Sequence, residues 1–281
     1  MNSDSEIRFP PELGKVNIRW FDTHAHYWDK KIQDPYPLLD RLFESGLEHV
    51  VNVGTTADTS RQCLQMADRF PQMYVAAGIH PEDCHALEGR VEDEVEQIRN
   101  LIQSHRDKVV ALGEIGLDYY WQTNYGKPLD KPLEKAYFDA QLSLAEELDL
   151  PVIIHDREAH GDCADILKAH PGVTGVLHSY SGSRETAREL IKQGFYVSFS
   201  GVITFKNAAR VAEVVREIPD DRILAETDCP YLAPVPYRGE INHSGMMILT
   251  LDAMARIRGS TLEKTAALTL ENGRRLFRLK T

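Results

Sequence analysis

Two histidines in the segment FDTHAH are spaced so that their side chains could bind the same metal ion. His24 and His26 are two residues apart, and alternate side chains of a β-strand leave the same face. Two imidazole nitrogens on one face can chelate one cation. Taken alone, the pair is also compatible with a half-buried strand that carries two hydrogen-bonded histidines.

Further residues of metal-ligand type follow other apolar segments of the chain. Glu114 has two carboxylate oxygens and could bridge two ions, whereas His155 and His178 would hold the second ion. Asp228 could bind the first ion and the water between the pair, although it could instead cap a helix; Glu114 could instead be a buried ion-pair partner. The set predicts two divalent ions, and imidazoles with carboxylates suit Zn²⁺ or Mn²⁺ better than Mg²⁺.

The segments before these residues indicate how they are positioned. Short apolar or β-branched segments, typical of buried parallel strands, alternate with helical patterns along the chain. The predicted strands are 16–24, 49–54, 73–80, 109–116, 151–156, 173–179, 195–201 and 222–228. The helical patterns include 90–104, 131–148, 162–169, 183–193, 207–217 and 246–277.

Eight alternating strands and helices favour a single (β/α)₈ TIM barrel, with a doubly wound open sheet as the alternative. The ligand-type residues end at least five of the predicted strands. In a barrel the C-terminal ends of the strands meet on one face, where barrel active sites are built. The same pattern therefore predicts both the fold and a metal site.

Length and composition are compatible with one such domain. The chain has 281 residues and a net charge of −11, so it is not a general electrostatic binder of DNA. We expect a polar N-terminal extension over 1–15 and one catalytic domain over 16–281. We also expect a cytoplasmic protein with no membrane segment, no obligate protein partner and four reduced cysteines.

The ordered motifs resemble those of the TatD family of metal-dependent deoxyribonucleases, within the amidohydrolase-like hydrolases. The matching motifs are FDTHAH, GIHPED, LGEIGLDYY, IIHDREA, LHSYSGS, VSFSG and ETDCPYL. The resemblance implies a (β/α)₈ barrel, a two-metal centre and hydrolysis of phosphodiesters, often from the 3′ end of DNA. The implied partner is DNA or a small phosphodiester.

The resemblance also assigns roles to individual residues. It implies metal ligands at His24, His26, Glu114, His155, His178 and Asp228. It implies substrate contacts at His80, Arg157 and Arg238. In the expected mechanism, Asp228 accepts a proton from water and Glu114 holds the two ions together. The alternatives are an amide or ester hydrolase, such as a D-aminoacyl-tRNA deacylase, and a non-catalytic protein that binds metal or nucleic acid.

One motif departs from the family pattern. Where the family usually reads Tyr-Arg-Gly-Lys-Arg-Asn-Glu-Pro, this chain reads YRGEINHS from Tyr237 to Ser244. Glu240 and Ile241 replace two basic residues. We therefore expect weak affinity for long DNA, because two phosphate-binding cations are missing and an anion is present.

Overall fold

The computed structural model describes residues 7–87, 89–120 and 130–279. Eight parallel strands lie in one sheet, and each pairs with the next in chain order. The strands are β1 Trp20–Ala25, β2 Leu47–Val53, β3 Met73–Ala77, β4 Val109–Asp118, β5 Val152–Arg157, β6 Gly175–Leu177, β7 Tyr196–Phe199 and β8 Ile223–Ala225. Because each strand pairs with the next one in the chain, the strand order is that of a β/α barrel.

Helices follow the strands around the outside. Those in the described part of the chain are α1 Pro35–Ser45, α2 Ala57–Arg69, α3 Pro81–Cys84, α4 Val91–Ser104, α5 Lys131–Leu148, α6 His160–Ala169, α7 Arg184–Lys192, α8 Ala209–Glu217, α9 Met247–Arg258 and α10 Leu262–Leu276. None of these helices is long and apolar enough to cross a membrane.

The segment after β8 joins β1 and closes the sheet. Ala25 and Cys229 form a parallel bridge. The backbone N–H of Asp228 donates to His24 O at 2.9 Å, and that of His26 donates to Cys229 O at 2.7 Å. The fold is therefore the predicted (β/α)₈ barrel, and the open doubly wound alternative is wrong.

Local sequence signals set where the helices begin and end. The Thr56 hydroxyl accepts from the Thr59 N–H and the Thr59 side chain returns a bond, which forms a capping box at the start of α2. Asp34 caps α1, and Pro35 occupies its first turn. α1 follows the loop after β1, and α2 follows the loop after β2. Both loops leave the C-terminal end of a strand, so both helices begin on the face predicted to carry the metal site.

Several predicted boundaries are wrong in a way that matters for the site. β3, β6 and β8 end before His80, His178 and Asp228, so these residues lie in loops just beyond the strands. The predicted helical region 246–277 is two helices. Gly259 ends α9 in the left-handed region (φ 63°), and Thr261 caps α10, so one continuous helix is not formed.

Candidate metal centre

Three residues from the two ends of the chain form the first group of candidate ligands. His24 and His26 project from β1 and its end toward the same side, with their Nε2 atoms 3.0 Å apart. Asp228 Oδ1 lies 3.7 Å from Nε2 of His24 and 3.4 Å from Nε2 of His26. The expected chelating pair is therefore present, and a carboxylate oxygen faces it.

The backbone of Asp228 explains how its carboxylate reaches the histidines. Its φ is 57°, in the left-handed region that residues other than glycine seldom adopt. Its N–H donates to His24 O, which fixes the loop against β1. Such a conformation costs free energy, and strained residues of this kind concentrate at functional sites.

A second group of imidazoles lies directly beside the first, with the His178 ring stacked on the His24 ring at a centroid distance of 4.2 Å. His155, in β5, and His178, just after β6, face each other with Nδ1 of the former 3.1 Å from Nε2 of the latter. The His80 ring contacts the His155 ring edge-on, with a centroid distance of 4.5 Å. Residues from three different strand ends thus meet at one place.

Glu114, in β4, lies between the two groups. Its Oε2 faces the first group, at 3.3 Å from Nε2 of His24 and 3.6 Å from Nε2 of His26. Close contact between β4 and β5 aids this placement: Gly116 has φ 140°, and a Cβ there would lie 1.9 Å from the carbonyl oxygen of His155. Only glycine fits at that position.

The other oxygen of Glu114 faces the second group. Its Oε1 lies 2.8 Å from Nδ1 of His155, 2.8 Å from Nε2 of His178 and 3.5 Å from Nε2 of His80. One buried carboxylate therefore presents each of its oxygens to a different set of imidazoles. This is the arrangement that a bridging carboxylate requires.

Outer hydrogen bonds orient the imidazoles. Nε2 of His155 lies 2.9 Å from Asp118 Oδ2, and Nδ1 of His178 lies 3.2 Å from Glu226 Oε1. On the first group, Nδ1 of His26 bonds to the carbonyl oxygen of Val53 at 2.8 Å. Partners of this kind set which ring nitrogen is free to bind a metal.

Sequence reasoning did not assign roles to Asp118 or Glu226. Asp118 is four residues after Glu114 on β4, so strand alternation places both on the same face. That signal was available in the motif LGEIGLDYY. Glu226 ends the apolar segment of β8, but its sequence position alone does not reveal that it contacts His178.

The carboxylates at the centre are held in their charged form. Burial alone would raise the pKa of Glu114, but the surrounding imidazoles, His178 foremost, hold this pKa well below its ordinary value. Burial would also raise the pKa of Asp228, yet the hydrogen bond from His26 and the nearby imidazoles lower it. The centre therefore contains buried negative charge that needs a cation.

The imidazoles respond to the same charges. Burial would lower the pKa of His155, but its bonds to Asp118 and Glu114 raise that pKa to about 9. The pKa of His178 is also raised, since the carboxylates outweigh burial, whereas burial and the charge of His178 lower the pKa of His24. Protons and divalent cations are thus alternative ways to balance this cluster.

The donor set fits a divalent metal. Three groups of residues could each hold a metal ion, because the ligand atoms within each group lie within 4.8 Å of one another. The groups are His24 with His26 and Asp228, His24 with His178 and Glu226, and His80 with Glu114 and His155. Ligand atoms about 2.0–2.1 Å from a tetrahedral Zn²⁺ would be about 3.3 Å apart, close to the separations here. In addition, the buried Nδ1 of His24 has no hydrogen-bond partner among the described residues.

The expected substrate contacts differ in their placement. His80 is buried beside Glu114, and its Nδ1 accepts from the Glu82 N–H at 3.1 Å. The Arg157 guanidinium lies 3.6 Å from the centre of the Tyr120 ring and 3.9 Å from Asp118. Both residues border the second group of imidazoles.

Arg238 does not join this cluster. Its side chain is exposed, and its guanidinium lies over the Phe205 ring at 4.6 Å. Among the described residues, no ion pair links Arg238 to Glu114 or Asp228. A role in substrate contact stays a prediction.

The altered motif has partners that the sequence alone did not indicate. Glu240 pairs with Arg8 of the N-terminal segment at 2.7 Å, so its charge is partly neutralised. Ile241 is partly buried and packs against the hydrophobic core. His243 is fully buried, and its Nε2 donates to the carbonyl oxygen of Arg8 at 3.0 Å.

The N-terminal segment from residue 7 lies against the barrel. The Phe9 ring contacts the His243 ring at a centroid distance of 4.5 Å, and Leu13 is buried. Residues 1–6 of the predicted extension lie outside the described residues. The predicted division at residue 15 stays a prediction.

A closed parallel barrel with histidines and carboxylates gathered at the C-terminal ends of its strands defines a metal-dependent hydrolase. The sequence comparison identifies the family: residues 21–278 match the family described as TatD related DNase. The chain belongs to this family.

Curated relatives and a solved structure agree with this assignment. The chain is 39% identical to YabD, a metal-dependent hydrolase of Bacillus subtilis (strain 168), over 92% of this chain and 99% of the relative. It is 34% identical to YcfH, a metal-dependent hydrolase of Escherichia coli (strain K12), over 92% and 95%. The structure of the TatD homologue YjjV from Escherichia coli K12 superposes with a TM-score of 0.85, at 28% identity over 93% and 99%.

Proposed function

We propose that the protein hydrolyses phosphodiester bonds, as a deoxyribonuclease that acts from the 3′ end, with two divalent cations. The observation that carries this proposal is the position of Glu114. Its Oε2 faces His24 and His26, and its Oε1 faces His155 and His178. A carboxylate between two imidazole sets suits a bridged pair of ions, and such pairs are common in phosphodiester hydrolysis.

The ligands divide according to these distances. We assign His24, His26 and Asp228 to the first cation, and His155 and His178 to the second, with Glu114 shared. His80 Nε2 lies 3.5 Å from Glu114 Oε1, so it is either a further ligand or a group that contacts the substrate. The cations are Zn²⁺, Mn²⁺ or Mg²⁺; the imidazole content favours the first two.

The side chains of the centre have distinct tasks in this reaction. When bound, the cations supply positive charge that stabilises the phosphate and lowers the pKa of a water molecule. Asp228 is ionised, partly exposed and beside the first imidazole pair, so it is suited to orient that water and accept its proton. Arg157 borders the second group and is suited to stabilise charge on the phosphate oxygens.

The charge of the chain bears on the size of the substrate. At a net charge of −11, and with Glu240 and Ile241 in place of two basic residues, we propose short single-stranded DNA or small phosphodiesters in preference to long duplexes. The four cysteines are free and buried, which is compatible with the reducing cytoplasm.

The deciding experiment combines metal analysis with a substrate panel. Protein saturated with Zn²⁺ or Mn²⁺ and then desalted should retain about two equivalents per chain. It should progressively shorten 5′-labelled single-stranded DNA from its 3′ end and cleave a small phosphodiester. One equivalent at saturation would contradict the two-ion assignment.

The same panel separates the alternative functions. D-aminoacyl-tRNA is included as an ester substrate of a different class. Turnover of this substrate alone would mean that the protein is a deacylase and not a nuclease. Metal binding without turnover of any substrate would indicate a binding protein.

A further inference from the structure

A groove of about 400 Å³ opens between the loop after β1 and helix α2. Tyr27 and Met66, both buried, form its floor, and Trp28 and Tyr36 contribute aromatic walls. Its volume lies within the range of small-ligand sites. The groove begins at the loop after β1, which leaves the face that carries the metal centre. It continues along the outside of the barrel, because Gln62, Gln65 and Met66 lie in the second and third turns of α2.

Trp28 connects the groove directly to the first group of metal ligands. Its indole N–H donates to the carbonyl oxygen of Val53 at 2.7 Å, and Nδ1 of His26 bonds to the same oxygen at 2.8 Å. The rings of Trp28 and His26 are 5.8 Å apart, edge to face. Trp28 therefore links the groove to the first group of candidate ligands.

The rim of the groove is polar but nearly uncharged. It carries three exposed amides, Gln33, Gln62 and Gln65, and the exposed ammonium of Lys30. Gln62 and Gln65 are three residues apart on α2 and share one face. Among the described residues, none of these three amides has a side-chain hydrogen-bond partner, so each can both donate to a ligand and accept from it.

We propose that this groove binds one base of a nucleic-acid strand whose scissile phosphate lies at the metal centre. The inference rests on the proposed phosphodiesterase function. The flat Trp28 ring suits stacking, and the amides suit the donor and acceptor edge of a base. Tyr36 stacks on Phe70 at a centroid distance of 6.1 Å and supports the opposite wall. Lys30 is the only cation among the described lining residues, so the groove does not suit a chain of phosphates. Binding through a neutral base also suits a chain with a net charge of −11.

The test measures binding and hydrolysis separately. Metal-saturated protein is titrated with short single-stranded oligonucleotides that carry hydrolysis-resistant phosphorothioate linkages and an abasic nucleotide at each position in turn. One abasic position should weaken binding to the wild type about tenfold, as expected for one lost stacked base. Two groove variants are compared: Tyr36→Leu, and the double variant Gln62→Ala with Gln65→Ala. Each should bind the intact strand more weakly than the wild type does. Neither should bind the strand with the sensitive abasic position more weakly than the wild type binds that strand.

Salt dependence and a matched variant provide the controls. Loss of base contacts should leave the log–log salt slope unchanged, because no phosphate contact is removed. Gln103→Ala removes another exposed amide, on α4 and outside the groove, and should behave as the wild type. The double amide variant keeps the test valid if Tyr36→Leu destabilises the fold.

The outcomes distinguish this inference from the proposed function. If the groove variants bind every strand like the wild type, the groove does not hold a base, whether or not DNA is cleaved. If the base-specific coupling is present but no phosphodiester is hydrolysed, the groove assignment stands and the nuclease function fails. The kcat for a small phosphodiester without a base should be unchanged in the amide variant; a large loss would indicate damage to the metal centre and would overturn the assignment.

Discussion

Nε2 of His155 lies 2.9 Å from Oδ2 of Asp118, on the side of the ring opposite Glu114. Asp118 is buried and also accepts from the Tyr120 N–H at 2.9 Å. A carboxylate in this position holds the imidazole in the tautomer that leaves Nδ1 free and increases its basicity. Asp118 therefore positions a candidate ligand without itself facing the proposed ions.

Asp118→Asn should weaken binding of the second metal ion by about 10–100-fold, the usual effect of losing such an outer partner. Metal titration monitored by calorimetry would measure this, with the first ion little affected. Asp156→Asn is the matched control, because Asp156 follows His155 on β5 but pairs with His160 at 2.7 Å. Equal losses in the two variants would contradict a specific role for Asp118.

Asp228→Asn should lower kcat by about 10²–10⁴-fold, since it removes the proposed proton acceptor. Asparagine also tolerates a φ near 57°, so the loop should keep its conformation. Steady-state rates at saturating metal would be compared with the thermal unfolding of the same variant. Wild-type rates would exclude Asp228 from the reaction, and a large fall in Tm would mean that the loop had changed.

His243 should make the fold sensitive to acid. Burial, which outweighs the bond to the Arg8 carbonyl, lowers its pKa to about 4, whereas the unfolded chain keeps a value near 6.5. Between these values the unfolded state binds more protons. The contribution of the neutral ring is therefore complete above pH 6.5 and is lost as the pH falls toward 4, by about 3 kcal/mol in total.

His243→Gln removes this titration. Chemical denaturation from pH 7.5 to 4 should give the variant a lower free energy of unfolding at neutral pH but a shallower decline below pH 6.5. The difference between the two profiles isolates this histidine from the metal-centre groups, which titrate in both proteins. Parallel profiles would mean that His243 is not kept neutral by burial.

Glu240→Lys tests the altered motif without disturbing Ile241, which packs against the core. The change breaks a partly exposed ion pair with Arg8, at a cost of no more than about 1 kcal/mol. If residue 240 faces a bound strand, the salt slope for single-stranded DNA should steepen by about 0.7.

Glu96→Lys is the control for Glu240→Lys, because it makes the same charge change on α4, where Glu96 is exposed and pairs with Arg99. A similar change in salt slope for both variants would show an effect of overall charge only. No change for Glu240→Lys would exclude residue 240 as a phosphate contact.

The sequence by itself determined the barrel and the residue types of the metal centre. Alternating apolar strands and helices leave few folds, and a barrel brings the C-terminal ends of all its strands together. The pair His24 and His26 could be read as sharing one face because strand periodicity is local. Glu114 could be read as a bridge because a carboxylate has two oxygens.

Tertiary structure decided everything that depends on residues distant in the chain. The contact of His155 with Asp118, the pairing of Glu240 with Arg8 and the burial of His243 each join segments at least 37 residues apart. The exact ends of strands were also undetermined, because β6 and β8 are only three residues long and their pairing comes from neighbouring strands. Local periodicity contains no information about such partners, since they are chosen by how the closed barrel packs.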